Sequence, residues 1–158
     1  MTQAIAKPNT LYDTDFLLWT QETASQLKAR DFVNIDLDNL IEEIESLGRS
    51  EKKELQSRLK TLLEHLLKRI YVSLPNCYGG WENTIRTQRS EIELLLIASP
   101  SLKPAWSDSF DIVWRLALKD AKGEYARQGF IFPDTWQFSR DISTMLNTDL
   151  WEEAHNSP

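Results

Sequence analysis

Glu43, His65 and Glu124 are the side chains whose types suit acid–base chemistry in this chain, and Arg69 or Arg89 is the cation that would hold an anionic group. A carboxylate beside an imidazole can pass protons near neutral pH, or hold a metal that activates water for hydrolysis. Gln88, Thr84, Trp81 and Glu45 complete the polar and aromatic set. These types do not specify a reaction. What they could do depends on which helix faces carry them.

At 100° per residue, two polar residues fall inside an apolar stripe rather than opposite it. Gln88 lies among Trp81, Ile85, Ile92 and Leu95, and Glu124 lies close to the direction of Trp106, Val113 and Ala117. A buried amide or carboxylate without a partner costs a few kcal/mol, so each must find one or reach solvent. Arg58, His65 and Arg69 share one flank of a leucine stripe at i, i+7 and i+11, while Arg89 and Thr84 flank the next. The expected pairs are Glu124 with Arg89 or Arg69, and Gln88 with His65 or the neighbours of Thr84. The favoured reading is a buried network that fixes how the helices dock. The second is a pocket lined by Glu124, Gln88, His65 and an arginine.

Glu42, Glu43 and Glu45 raise a metal site. A four-helix di-iron centre needs two Glu-x-x-His pairs, and the chain has only two histidines, one of them the near-terminal His155. Glu64 and His65 are adjacent, so their side chains point about 100° apart. An all-oxygen Mg²⁺ site from Glu43 or Glu45 with Asp36 or Asp38 is the residual metal reading. No metal and no cofactor is the expectation. Cys77 lacks a nearby histidine in sequence, which disfavours a nucleophilic thiol. Gly79-Gly80-Trp81 lacks the Gly-Lys-Ser/Thr ending of a phosphate loop.

Helical periods must position these residues. The first helix is expected from Asp13, as N-cap, to about Ala29. A second starts at Asp36, with Leu37, Leu40, Ile41, Ile44 and Leu47 at helical spacing, and Gly48 is expected to end it. Ser50 then caps a third helix to about Leu74, striped by Leu55, Leu59, Leu62, Leu63, Leu66 and Ile70. Pro75 and Gly79-Gly80 break the chain, and a fourth helix runs from about Trp81 to Ala98. Ser101–Pro104 opens a fifth, which Gly129 ends. Phe130–Pro133 reads as a short extended segment or an apolar loop, and a short helix covers Ile142, Met145 and Leu146. The class is all-α: a single-domain antiparallel bundle of about five main helices plus a short C-terminal helix over residues 11–153, with a flexible N-terminus at 1–10 and a flexible tail at 154–158.

Composition narrows the function classes. The chain has 158 residues, a size that suits one domain with its own core. A formal charge of -6 disfavours nucleic acid and anionic membranes as partners. One cysteine excludes an internal disulfide framework and fits a reducing compartment. The six tryptophans read as core anchors. Met1–Thr10 is polar with one proline, so no secretory signal is expected, and no apolar run approaches the roughly 20 residues of a spanning helix. The expected location is the cytoplasm. Asp31–Gly48 holds six acids and no base, whereas Arg49–Ser90 holds nine bases against four acids. The two are expected to face each other; a nucleic-acid patch is the lesser reading, since no aromatic-interleaved basic run accompanies it.

A series of blocks resembles a known family. Tyr12-Asp13-Thr14-Asp15-Phe16, Asn39 to Gly48, Arg58-Leu59, Leu62 to Lys68, Trp81 with Thr84-Ile85 and Gln88-Arg89, and Pro100-Ser101-Leu102 occur in order from about Tyr12 to Leu150. They look like domain-of-unknown-function family number 29. The resemblance implies a bacterial, all-helical, single-domain protein and no established activity. Gly80 stands where that family usually has a serine, which removes a hydroxyl from the loop. The family's motif positions coincide in large part with Glu43, Glu45, Arg58, His65, Trp81, Thr84, Gln88, Arg89 and Glu124.

The functional expectation is a non-enzymatic interaction or regulatory module that partners another copy of itself or another protein. The alternative is a small enzyme or ligand-binding protein built on a Glu/His/Arg pocket.

Overall fold

Two aspartates compete to start the first helix, and both are used. The computed structural model describes residues 10–156. Helix α1 (Leu11–Thr14) opens on a capping box in which Thr10 and Asp13 satisfy each other's backbone. Asp15 then leaves helical geometry and its carboxylate accepts from the Leu18 amide at 3.0 Å, starting α2 (Phe16–Lys28). The expected single helix from Asp13 is thus two, because Asp15 sits three residues before a free amide and caps it.

Helix α3 (Leu37–Tyr71) runs unbroken for 35 residues. This corrects the expected stop at Gly48 and restart at Ser50. Glycine inside a helix costs only about 1 kcal/mol relative to alanine. The residues that follow, Glu51 to Gln56, are strong helix formers with no proline among them. Gly48 keeps a negative φ, and the only glycine with positive φ is Gly129, at 88°.

The chain divides into two compact units at Gly48/Arg49. In the first, Tyr12, Phe16 and Trp19 form an aromatic cluster with ring centroids 4.9 to 5.7 Å apart. Leu37, Ile41, Ile44 and Leu47 keep their helical spacing but are exposed.

In the second unit, Leu55, Leu59, Leu62, Leu63, Leu66 and Leu67 of α3 are all fully buried. Helix α4 (Pro75–Ala98) packs on them, starting six residues earlier than expected. Pro75 occupies its first position, where the missing N–H would have been unpaired anyway. A 3₁₀ turn (Pro100–Ala105) leads into α5 (Trp106–Tyr125). Contacts between α3 and α4 run in opposite order: Glu51 with Ser99, Arg58 with Gln88, Arg69 with Glu82. Trp81, near the start of α4, meets Tyr125 at the end of α5. Lys60 reaches Asp120 and Lys68 reaches Glu124, so α5 runs with α3. The three helices are therefore consecutive antiparallel neighbours, as short connections favour.

After Gly129 the chain returns along α5 without regular structure. Phe132 is buried against Tyr71, and Trp136 stacks edge-on against Trp114 and Phe110. The Trp106 indole donates to the Arg140 carbonyl at 2.8 Å. Asp141 caps α6 (Ile142–Asn147), accepting from the Thr144 amide at 2.9 Å. A last helix, α7 (Leu150–Asn156), extends beyond the short helix expected around Met145. Leu150 and Trp151 anchor it in the core. The expectations for residues 1–9 and 157–158 lie outside the described residues.

All six tryptophans are buried or partly buried. The described residues hold no strand, so the class is all-α. None of their helices is long and apolar enough to cross a membrane.

A Cβ at Gly48 would meet nothing within 4 Å. Gly48→Ala should therefore raise stability by about 1 kcal/mol in urea unfolding. Gly129→Ala should lower it by about 1 kcal/mol, because L residues resist positive φ. A helix that ended at Gly48 in the left-handed region would make the first substitution destabilising instead.

Candidate functional site

Cations of the second unit act as clasps between helices. On the α3–α4 face, Arg58 donates from Nε to Glu54 at 3.1 Å and from Nη1 to Gln88 Oε1 at 3.4 Å, with Glu91 3.5 Å from Nη2. Arg58 and Gln88 line a cleft of about 450 Å³ with Ser50, Lys53, Ser57 and Thr61. Farther along, Arg69 donates to Glu82 at 2.7 Å. Its guanidinium stacks 3.8 Å from the Tyr78 ring centroid and 5.1 Å from that of Trp151. A charge held by a carboxylate and two rings is fully engaged.

Arg89 holds the C-terminal end of α6. Its Nε donates to the Met145 carbonyl at 2.8 Å and its Nη2 to the Thr148 carbonyl, with Asp149 3.5 Å from Nη1. These carbonyls carry the partial negative charge of a helix end. Burial pulls the guanidinium below its usual range and Asp149 opposes that, but arginine stays charged.

On the α3–α5 face the residues form a row spaced by four. Lys60 reaches Glu64 at 2.7 Å and Asp120 at 2.6 Å, and these bonds raise its pKa while lowering that of Asp120. Lys68, nearly buried, reaches Glu124 at 2.6 Å and sits 5.9 Å from the Tyr125 ring centroid. Between them His65 Nδ1 lies 2.8 Å from the Thr61 carbonyl, which places the proton on Nδ1. Burial is the main cause of its lowered pKa.

The expected constellation is therefore dispersed. Glu124 is exposed and pairs with Lys68, not with Arg89 or Arg69, because Arg69 turns to Glu82 of α4 and Arg89 to the end of α6. Gln88 is half-buried and bonds Arg58, not His65. Thr84 donates to the Gly80 carbonyl one turn back, and Trp81 is a core aromatic beside Tyr125 and Tyr78. Of the expected polar set, only Arg58 and Gln88 meet. Arg58, Lys60, Lys68, Arg69 and Arg89 each take a carboxylate of the second unit. Sequence reasoning missed Lys60, Lys68, Asp120 and Glu82. The i, i+4 spacing of Lys60, Glu64 and Lys68 was the available signal.

In the first unit Glu43 accepts from the Tyr12 hydroxyl at 2.5 Å, and that bond pushes the phenol up to about 12. Glu45 is exposed. No group of three or more His, Cys, Asp or Glu among the described residues is placed to hold a metal. Beside Glu43 lies an apolar groove of about 270 Å³, walled by Phe16, Trp19 and Leu27 of α2 and Leu40, Ile44 and Leu47 of α3. The buried Trp19 indole N–H in its wall has no acceptor.

The model of the family described as domain of unknown function DUF29 matches residues 11–151, and the chain belongs to that family. No curated protein matches the chain, and no solved structure does.

Arg89→Ala should cost about 2–4 kcal/mol in urea unfolding, because it leaves two carbonyls of the α6 end without donors. Arg89→Lys should recover only part, since one ammonium cannot replace the fork. Equal stability in all three proteins would remove Arg89 from this role. His65 makes a second prediction. Its folded pKa is depressed below the reference 6.5, so its contribution is intact above pH 6.5 and falls as pH drops from there through the folded value. His65→Gln should flatten the stability profile in that window, and an NMR titration midpoint above 6.5 would contradict the assignment.

Proposed function

We propose that this protein is a non-enzymatic interaction or regulatory module of a bacterial cytoplasm, and that it presents the α2–α3 groove of its first unit to another protein. The observation that carries this reading is the distribution of exposed apolar residues. Phe16, Leu17, Leu18, Phe32, Val33, Leu37, Ile41, Ile44 and Leu47 are all exposed within one small unit. Scattered exposed leucines are ordinary, but a contiguous apolar patch on a soluble chain marks a contact surface. The lone cysteine supports a reducing compartment.

The competing account is a small enzyme or ligand-binding protein using Glu43, His65 and Glu124. Against it stands the engagement of each group: Glu43 by Tyr12, Glu124 by Lys68, and the His65 Nδ1 by Thr61. A general base needs a reacting proton within hydrogen-bond reach and a cavity to receive the substrate. None of the five cavities with the best-formed walls is lined by two of these three groups.

A photo-crosslinking amino acid in place of Ile44 should give discrete protein adducts in cells, identifiable by mass spectrometry. The same probe in place of Leu116, an exposed apolar residue of the second unit, should give few or none. Blank lanes at Ile44, or equal adducts at both positions, would overturn the interaction reading.

A further inference from the structure

An exposed apolar stripe of α3 shares Ile44 and Leu47 with the groove and continues beyond it. On α3 the exposed residues Leu37, Ile41, Ile44 and Leu47 make one stripe spaced i, i+4, i+7 and i+10, about 15 Å long at the helical rise. A stripe of that length gives an incoming amphipathic helix nearly three turns to pack against. At 100° per residue, Asp38 and Glu45 fall about 40–60° beyond Ile41 on one border, and Glu43 falls about 40° beyond Leu47 on the other. Carboxylates therefore bound the apolar stripe on both sides.

Charge is partitioned between the units in the same sense. Residues 1–48 contain nine Asp and Glu against three Lys and Arg, and residues 49–158 contain fifteen of each. The entire formal charge of -6 therefore belongs to the unit that carries the groove. Two such surfaces brought together would set acid against acid, and an anionic bilayer would be repelled for the same reason. A partner must bring apolar anchors for the stripe and cations for its borders.

We infer that the α2–α3 groove, together with the exposed α3 stripe that continues it from Ile44 to Ile41 and Leu37, is the docking site for a cationic amphipathic helix of another protein. This inference rests on the interaction reading above and narrows it to one partner chemistry. Leucine-type side chains of the incoming helix lie against Ile44 and Leu47, and its lysines or arginines meet Asp38, Glu43 and Glu45. The apolar contacts hold the complex, and the charges speed encounter and reject acidic helices.

The test uses the full chain and two labelled synthetic helices of identical apolar pattern, one with lysine and one with glutamate at every polar position. Fluorescence anisotropy should show saturable binding of the Lys/Leu helix and none of the Glu/Leu helix. Raising salt from low to physiological strength should weaken the complex several-fold. The Asp38→Lys/Glu45→Lys double variant should weaken it about tenfold or more. Ile44→Ser/Leu47→Ser should abolish it while the circular dichroism spectrum stays native.

Failure to bind the Lys/Leu helix, equal binding of both helices, or binding that survives Ile44→Ser/Leu47→Ser would overturn the inference. Sedimentation and vesicle flotation separate that failure from failure of the interaction reading. A dimer that Ile44→Ser/Leu47→Ser dissociates would make a second copy the occupant. Flotation with phosphatidylserine vesicles would make it a membrane. Either result sinks the cationic helix, and the first leaves the groove a protein-docking surface. A monomer that binds no helix, with blank crosslinking at Ile44, sinks both.

Discussion

Burial of one leucine row on α3 is the constraint on which the second unit depends. Leu55, Leu59, Leu62, Leu63, Leu66 and Leu67 lose essentially all contact with water. Each such side chain contributes on the order of 2 kcal/mol, and removing one costs more because a cavity remains. Helices α4 and α5 exist as ordered neighbours because they cover this row from two sides. Phe110, Ile85, Ile92 and Met145 fill the spaces between, all at 1% exposure or less. The return segment after Gly129 and the two short terminal helices close the remaining gaps with Phe132, Leu150 and Trp151.

Polar groups in this unit bridge one helix to the next. Arg58 and Arg69 on α3 reach side chains of α4, and Arg89 on α4 reaches the end of α6. An arginine fork satisfies two or three acceptors at once, which suits it to carbonyls and carboxylates at helix borders. The lysine row on α3 does the same for α5. Such pairs add little net stability when exposed, but a half-buried one is costly to leave unmatched and so selects one docking arrangement. The first unit has the opposite character. Its apolar stripe on α3 is as regular as that of the second unit, yet it remains open to solvent.

Much of the fold was legible because helical information is local. The stripes of Leu55 to Leu66 and of Trp106 to Ala121, the punctuation at Gly129 and the short helix around Met145 follow from spacings of a few residues. Helix ends were less legible. Gly48 and Pro75 each carry two meanings, stop or tolerated position, and the deciding factor is what lies beyond them. Asp13 and Asp15 both suit a cap, and the chain uses each for a different helix. The candidate site was the least legible part. A wheel drawn around one stripe assigned Glu124 an inward direction, but α3 has neighbours on two sides, and Lys68 on its far flank claims that carboxylate.

The amino-acid sequence by itself determined the all-helical class, the apolar stripes, most caps and the family. Those depend on backbone hydrogen bonds and side-chain periods that span four residues or fewer. Only the tertiary structure decided which carboxylate meets which cation, that His65 turns to its own backbone, and that the stripe of Leu37 to Leu47 is left bare. Those outcomes depend on the rotation and offset of whole helices about one another. A rotation of one residue moves a side chain by 100°, so no local pattern can specify its partner.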